Sequence, residues 1–189
     1  MCDCMKELMY EFMAPNAALT DLEDACRKTL SAGCAGICVP QWFVSAAKQS
    51  LGGAAKVATL VGLPGGTTSS FAKYAETKQA IANGADVVLV TVNMALCAAG
   101  DFAAAKNDLV ASMAPAKKHG CAAAVVDADA LNAAQLLETG KLCMEAGVTA
   151  VYVTNACEKC IAALLDAGIP AGTFGKHRAA NAACCVGAI

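Results

Sequence analysis

Lys56 to Asn93 reads KVATLVGLPGGTTSSFAKYAETKQAIANGADVVLVTVN. Two apolar runs, KVATLVGLP (Lys56 to Pro64) and ADVVLVTVN (Ala85 to Asn93), flank a segment with helical composition from Ser69 to Asn83. Ser69 suits an N-cap, and the helix closes on the glycine of ANG. The strand runs are continuous rather than alternating, as in parallel strands buried on both faces. This is a strand–helix–glycine–strand unit.

The same unit recurs along the chain. Further strand candidates are AGICVP (Ala35 to Pro40), CAAAVVDAD (Cys121 to Asp129), VTAVYVTN (Val148 to Asn155) and IPAGTF (Ile169 to Phe174). Helices are predicted at Thr20 to Ala32, Trp42 to Leu51, Phe102 to His119, Ala130 to Ala146 and Glu158 to Ala167, with Thr20 as a second N-cap. A strand around Leu8 to Met13 and a weak last one in ACCVGAI (Ala183 to Ile189) raise the count to seven or eight. The expected fold class is therefore α/β, as a TIM-type (β/α) barrel in one domain over residues 1–189. No G-x-G-x-x-G follows the first strand, so a Rossmann reading has little support.

Composition narrows the function. The chain is 57% apolar with mean hydropathy +0.50, but much of this is alanine, and no run of 18 residues is free of charges and turn formers. The start, MCDCMKELMYEF, lacks a basic segment followed by a long apolar one, so no export signal is expected. Fourteen basic and sixteen acidic residues, scattered to a net charge of −2, form no stripe for nucleic acid and no polybasic membrane patch. Twelve cysteines in a chain without an export signal are expected to be reduced, and the protein cytoplasmic.

In a barrel, chemistry belongs at the carboxyl ends of the strands and in the loops that follow. The polar residues there are Gln41, Thr67, Thr68, Thr91, Asn93, Asp127, Asp129, Tyr152, Thr154, Asn155, Lys176, His177 and Arg178. The GKHR cluster joins two cations and a titratable ring, which suits an anionic or phosphorylated small molecule; a solvated loop is the competing reading. Asp127 is either a general base or, with Asp129, a cap for the helix starting near Ala130. Cys157 and Cys160 in CEKC have the spacing of a redox pair or metal half-site near a helix N-terminus. Their i, i+3 spacing is equally that of two thiols facing the core, and no metal site is expected. His119, in a helical C-terminal turn, is expected to be structural.

The runs ICVPQWFVSAAKQSLGG and Lys56 to Leu96, with GDF after them, resemble the early and central part of a deoxyribose-phosphate aldolase. K-V-A-T-x-x-G-x-P-x-G and E-T-K-x-A-I-x-N-G-A-D are the specific segments, and the likeness extends more loosely over about Pro15 to Asn155. The resemblance implies a (β/α) barrel. It also implies reversible cleavage of 2-deoxyribose 5-phosphate to glyceraldehyde 3-phosphate and acetaldehyde through a lysine Schiff base, with no cofactor.

The departures from that family concern its catalytic positions. Tyr152 stands where the resemblance places the Schiff-base lysine, Leu89 where it places an aspartate, and Ala123 where it places a second lysine. Asp127 keeps the acid, and MYEFM (Met9 to Met13) replaces a D-H-T-L-L stretch. A further lysine is represented by Lys176 or lost at Phe174. A Schiff base needs a primary amine, which a phenol cannot supply. The expectation is a catalytically impaired or repurposed homologue that binds a small, phosphorylated metabolite through Thr91, Asn93, Thr154, Asn155, His177 and Arg178 beside Tyr152 and Asp127. The alternatives are a lyase with chemistry relocated to Lys176, a cysteine-based redox or metal protein, and a structural subunit. The short C-terminal region predicts a strand eight that is incomplete or supplied by a partner chain, and such an edge favours a homo-oligomer.

Overall fold

The computed structural model describes residues 8–117, 119, 122–175 and 185–187. Among them, eight parallel strands follow one another in chain order around a closed barrel. They are β1 (Met9–Glu11), β2 (Gly36–Cys38), β3 (Lys56–Val61), β4 (Val87–Thr91), β5 (Ala122–Asp127), β6 (Val151–Thr154), β7 (Ala171–Phe174) and β8 (Cys185–Gly187). The helices are α1 (Leu19–Ser31), α2 (Val44–Leu51), α3 (Ser70–Ala82), α4 (Met94–Ala98), α5 (Phe102–Lys117), α6 (Ala133–Ala146) and α7 (Glu158–Asp166). The predicted barrel is the observed one.

Strand eight belongs to this chain. It is three residues long and bridges β7, through Thr173↔Cys185 and Phe174↔Val186, to β1, through Met9↔Val186 and Tyr10↔Gly187. Its shortness agrees with the sequence; supply by a partner chain does not, because β1 is itself only three residues and needs no longer neighbour.

Alternation along each strand sorts the apolar residues into two layers. Met9, Cys38, Ala58, Leu60, Leu89, Ala123, Val125, Ala150 and Tyr152 pack together in the lumen. The intervening residues, such as Val57, Val88, Val90, Ala124, Val126, Val151 and Val153, pack outward against the helices. Small alanines at 58, 123 and 150 let the lumen close around the larger leucines and tyrosine.

Local signals account for most boundaries. Ser69 caps α3 by accepting from the Ala72 amide at 3.2 Å. Thr20, expected as a cap, lies inside α1, because the Asp21 carboxylate accepts from the Ala18 amide at 2.7 Å and starts the helix two residues earlier. The helix predicted from Ala130 begins at Ala133, where Asn132 and Gln135 exchange reciprocal side chain–backbone bonds. The short helix α4, which is not among the predicted helices, is capped by Asn93, whose Oδ1 accepts from the Leu96 amide at 3.2 Å.

One buried ion pair ties the β3–α3 loop to the barrel. Lys73, fully buried on α3, donates from Nζ to the Asp108 carboxylate on α5, to the carbonyl of Gly66 at 3.0 Å and to the carbonyl of Thr91 at 3.3 Å. Ser70 donates to the other Asp108 oxygen at 2.7 Å. All three ammonium protons are therefore matched, which is the condition for a buried charge to be tolerated. Gly66 lies so close to the end of β4 that a Cβ there would strike the carbonyls of Val92 and Thr91, and its φ of +67° also favours glycine.

Lys73→Met is expected to lower the unfolding free energy by about 3–5 kcal/mol, because it strands the Asp108 charge. Urea denaturation measures this. Lys73→Met combined with Asp108→Leu should recover part of the loss, whereas additive losses would contradict the pairing.

Candidate functional site

The carboxyl ends of β4, β5 and β6 meet side by side, and this brings several of the predicted residues together. In the strand register Val125 faces Tyr152, Asp127 faces Thr154, and Thr91 faces Val125. Tyr152 is 4% exposed and belongs to the lumen cluster with Leu60, Leu89, Ala123 and Val125. Leu89, Ala123 and Tyr152, where the resemblance places charged groups, thus belong to one apolar lumen cluster, with Leu89 beside Ala123 and Tyr152 beside Val125 in the register. Their convergence is a tertiary fact, since they lie on three different strands.

Above that cluster the mouth becomes polar. Thr91 is buried and shares the inner face of β4 with Leu89; its hydroxyl has no hydrogen-bond partner among the described residues. Asp127 is half-buried, and its Oδ1 accepts from the Asn155 side-chain amide at 3.1 Å and from the Asp129 backbone amide at 3.1 Å. Of the two roles considered for Asp127, the cap is made: it caps the short 3-10 turn Ala128–Ala130 rather than the helix that follows. Asp129 is exposed in that turn. Asn155 holds a left-handed backbone (φ 53°), which lets its side chain turn back across the mouth. The Thr154 hydroxyl donates to the Val126 carbonyl at 3.5 Å and stays close to the sheet.

Glu11 is an acid that the sequence reading passed over. Met9, Glu11 and Met13 alternate onto the inner face, and Met9 and Met13 are part of the lumen packing. The Cys38 thiol is pushed far up, first by burial and then by the Glu11 carboxylate. The period-two spacing in MYEFM was the available signal.

Other predicted residues lie elsewhere. Gln41 donates to the Glu76 carbonyl at 2.6 Å and braces α3 from outside. Thr67, Thr68 and Asn93 line a separate cleft of about 480 Å³ with Ser69, Ser70 and Asn107, above the Lys73–Asp108 pair. His119 follows α5, its amide donating to the Ala116 carbonyl at 3.0 Å. Lys176, His177 and Arg178 fall outside the described residues. Among the described residues no group of three or more His, Cys, Asp or Glu is placed to hold a metal ion.

A closed ring of eight parallel strands with polar residues at the carboxyl ends makes this a (β/α) barrel with its candidate site at that mouth. The sequence model of the DeoC/LacD family of aldolases matches residues 4–126, and this chain belongs to that family. The deoxyribose-phosphate aldolase of Streptococcus equi subsp. zooepidemicus is 28% identical over 179 residues, covering 94% of this chain and 81% of that protein. Among solved structures, an aldolase designated QR15 superposes with a TM-score of 0.88 at 18% identity, over 99% of this chain and 92% of its own. A tetrameric deoxyribose phosphate aldolase from Aeropyrum pernix gives 0.76 at 17% identity, over 91% and 76%. The family's fold is retained.

The lumen predicts the behaviour of an amine placed in it. A lysine introduced as Tyr152→Lys would be desolvated, with a folded-state pKa below its unfolded value. The unfolded state then binds more protons near neutrality, so the variant is least stable at low and neutral pH and regains stability as pH rises towards about 10. Urea unfolding at pH 7 and pH 10 should show the variant on the order of 4 kcal/mol weaker than the parent at pH 7, with a smaller gap at pH 10.

Proposed function

We propose that this chain is an aldolase-family protein that has given up Schiff-base cleavage and binds a small, phosphorylated metabolite at the carboxyl-terminal mouth of its barrel. The observation that carries this reading is the apolar lumen cluster that holds Leu89, Ala123 and Tyr152. Among the described lysines only Lys56 lies on a strand, at the opposite end of β3, and Lys73 is committed to Asp108 outside the barrel. With no described amine in the lumen, none of these residues can capture the carbonyl of a sugar phosphate covalently there.

Polar groups suited to orienting a hydroxylated ligand remain above the apolar cluster. The unpartnered hydroxyl of Thr91, the carboxylates of Asp127 and Glu11 and the amide of Asn155 would meet its hydroxyls, with His177 and Arg178 as the expected phosphate partners. Tyr152 would act as a hydrogen-bonding group. Twelve cysteines in a chain of this size fit a reducing, cytoplasmic setting. Among the described residues no helix is long and apolar enough to cross a membrane.

Borohydride reduction in the presence of acetaldehyde or 2-deoxyribose 5-phosphate tests the reading. Mass spectrometry is expected to show no trapped adduct. A stable adduct on Lys176 would replace this proposal with a lyase of relocated chemistry. The triple variant Leu89→Asp, Ala123→Lys, Tyr152→Lys restores the family's groups in one lumen cluster and is expected to gain a borohydride-trappable adduct.

We also propose a homo-oligomer. Trp42 is 85% exposed and Phe71 80% exposed, with Leu63 half-exposed nearby in sequence, and large apolar side chains of this kind favour association. Light scattering after size exclusion should give a multiple of 19.0 kDa. Trp42→Ser with Phe71→Ser is expected to shift the mass towards the monomer.

A further inference from the structure

The CEKC pair at the start of α7 is not part of the lumen, and the structure does not place it in the core. Cys157 is the N-cap residue of α7 and is exposed; Cys160 lies in the first turn and is half-buried. Their sulfurs are 3.1 Å apart. The thought that both thiols face the core is therefore corrected: the helix begins at Glu158, so its first turn presents Cys157 to solvent and tucks only Cys160 inward.

We propose that Cys157 and Cys160 form a thiol–disulfide exchange site, with Cys157 as the attacking sulfur, Cys160 as the resolving sulfur, and a low-molecular-weight disulfide of the glutathione class as co-reactant. Three observations distinguish this pair. Cys157 is exposed, whereas Cys26, Cys34, Cys38, Cys97 and Cys143 are buried and Cys160 is half-buried. The two sulfurs need approach by only about 1 Å to reach a disulfide bond of about 2.05 Å. An apolar cleft of about 250 Å³, lined by both cysteines with Leu136, Leu137, Ala163 and Leu164, adjoins the pair, and the greater exposure of Cys157 lets a disulfide in solution reach it first.

The electrostatics divide the two roles in the same sense. The Cys160 thiol and the backbone amides of Cys160 and Lys159 hold the Cys157 thiol below its ordinary range. Burial, followed by the neighbouring Cys157, raises that of Cys160, and Asp129 from the turn after β5 adds to the rise. Glu158 and Lys159 are the other charged neighbours, on α7 itself. Burial also raises the thiols of Cys26, Cys97 and Cys143, which makes them poor nucleophiles.

The chemistry balances in two exchanges. The Cys157 thiolate attacks one sulfur of the glutathione disulfide; that S–S bond breaks, one glutathione leaves as thiolate, and a mixed disulfide forms on Cys157. The Cys160 thiol, losing its proton, attacks the Cys157 sulfur; the mixed disulfide breaks and the second glutathione leaves. The two protons from the protein end on the two released glutathiones. The protein is oxidised by two electrons and the glutathione disulfide is reduced by two. The site's oxidation does not depend on whether the lumen binds or cleaves a sugar phosphate.

The test equilibrates the full-length reduced protein in graded ratios of reduced to oxidised glutathione, quenches with acid, blocks free thiols and maps peptides by mass spectrometry. The expected result is an intramolecular Cys157–Cys160 disulfide in the parent. Cys160→Ser should lose that disulfide and accumulate glutathione on Cys157, whereas Cys157→Ser should give neither product. Iodoacetamide alkylation of Cys157, followed against pH, should have its midpoint below the value of about 8.5 for a free thiol. The proposal is overturned if Cys157 and Cys160 stay separately alkylatable at every ratio, if glutathione accumulates on another cysteine in preference, or if the Cys157 midpoint lies at or above that of a free thiol.

Discussion

The Lys73–Asp108 ion pair is the constraint on which the carboxyl-terminal mouth of the barrel depends. It lies outside the strand ring, yet its ammonium donates to carbonyls of the β3–α3 loop and of the β4 end at once. Burying a charge is unfavourable unless every donor finds an acceptor, so the geometry of Gly66, Thr91 and Asp108 is mutually enforced. Gly66 then rests on the end of β4, and the Gly65 carbonyl accepts from the Met94 amide at 3.0 Å to start α4. Met94 in turn receives the Asp127 amide on its sulfur at 3.4 Å, which carries the brace on to β5. The polar mouth is thus held by contacts that are themselves away from the lumen.

Within that frame the barrel keeps the family's shape around an apolar lumen. Leu89, Ala123 and Tyr152 belong to a cluster that closes by apolar packing. Such packing avoids the desolvation cost that charged groups in a narrow lumen impose, and under the proposed reading it leaves no nucleophile there. The family fold and the family reaction are separable for this reason: the strands and helices are stabilised by the outer layer, whereas catalysis rests on a few inward positions.

Much of the architecture was legible in the chain. Continuous apolar strands, glycines after helices and the serine at position 69 predicted the alternation and most element positions, because each reflects local backbone energetics. Thr20 misled because a better arrangement, Asp21 on the Ala18 amide, lay two residues away. Lys73 was invisible as a core residue: on α3 it shares the buried stripe with Thr77 and Ala80, and a lysine in that stripe reads as a surface charge until its acceptors are known. Glu11 was legible only from the period-two spacing of Met9, Glu11 and Met13, a short run from which to assign a face.

The sequence by itself determined the fold class, the family and the presence of a tyrosine at position 152. These follow from residue types, spacing and local propensity, which are properties of neighbours along the chain. Only the tertiary structure decided that positions 89, 123 and 152 share one lumen cluster, that Asp127 binds Asn155 across the mouth, and that the two CEKC thiols divide into one exposed and one half-buried. Each of those depends on strand register and on where a helix begins relative to the barrel. Such relations are set by packing between segments distant in sequence, so no local pattern encodes them.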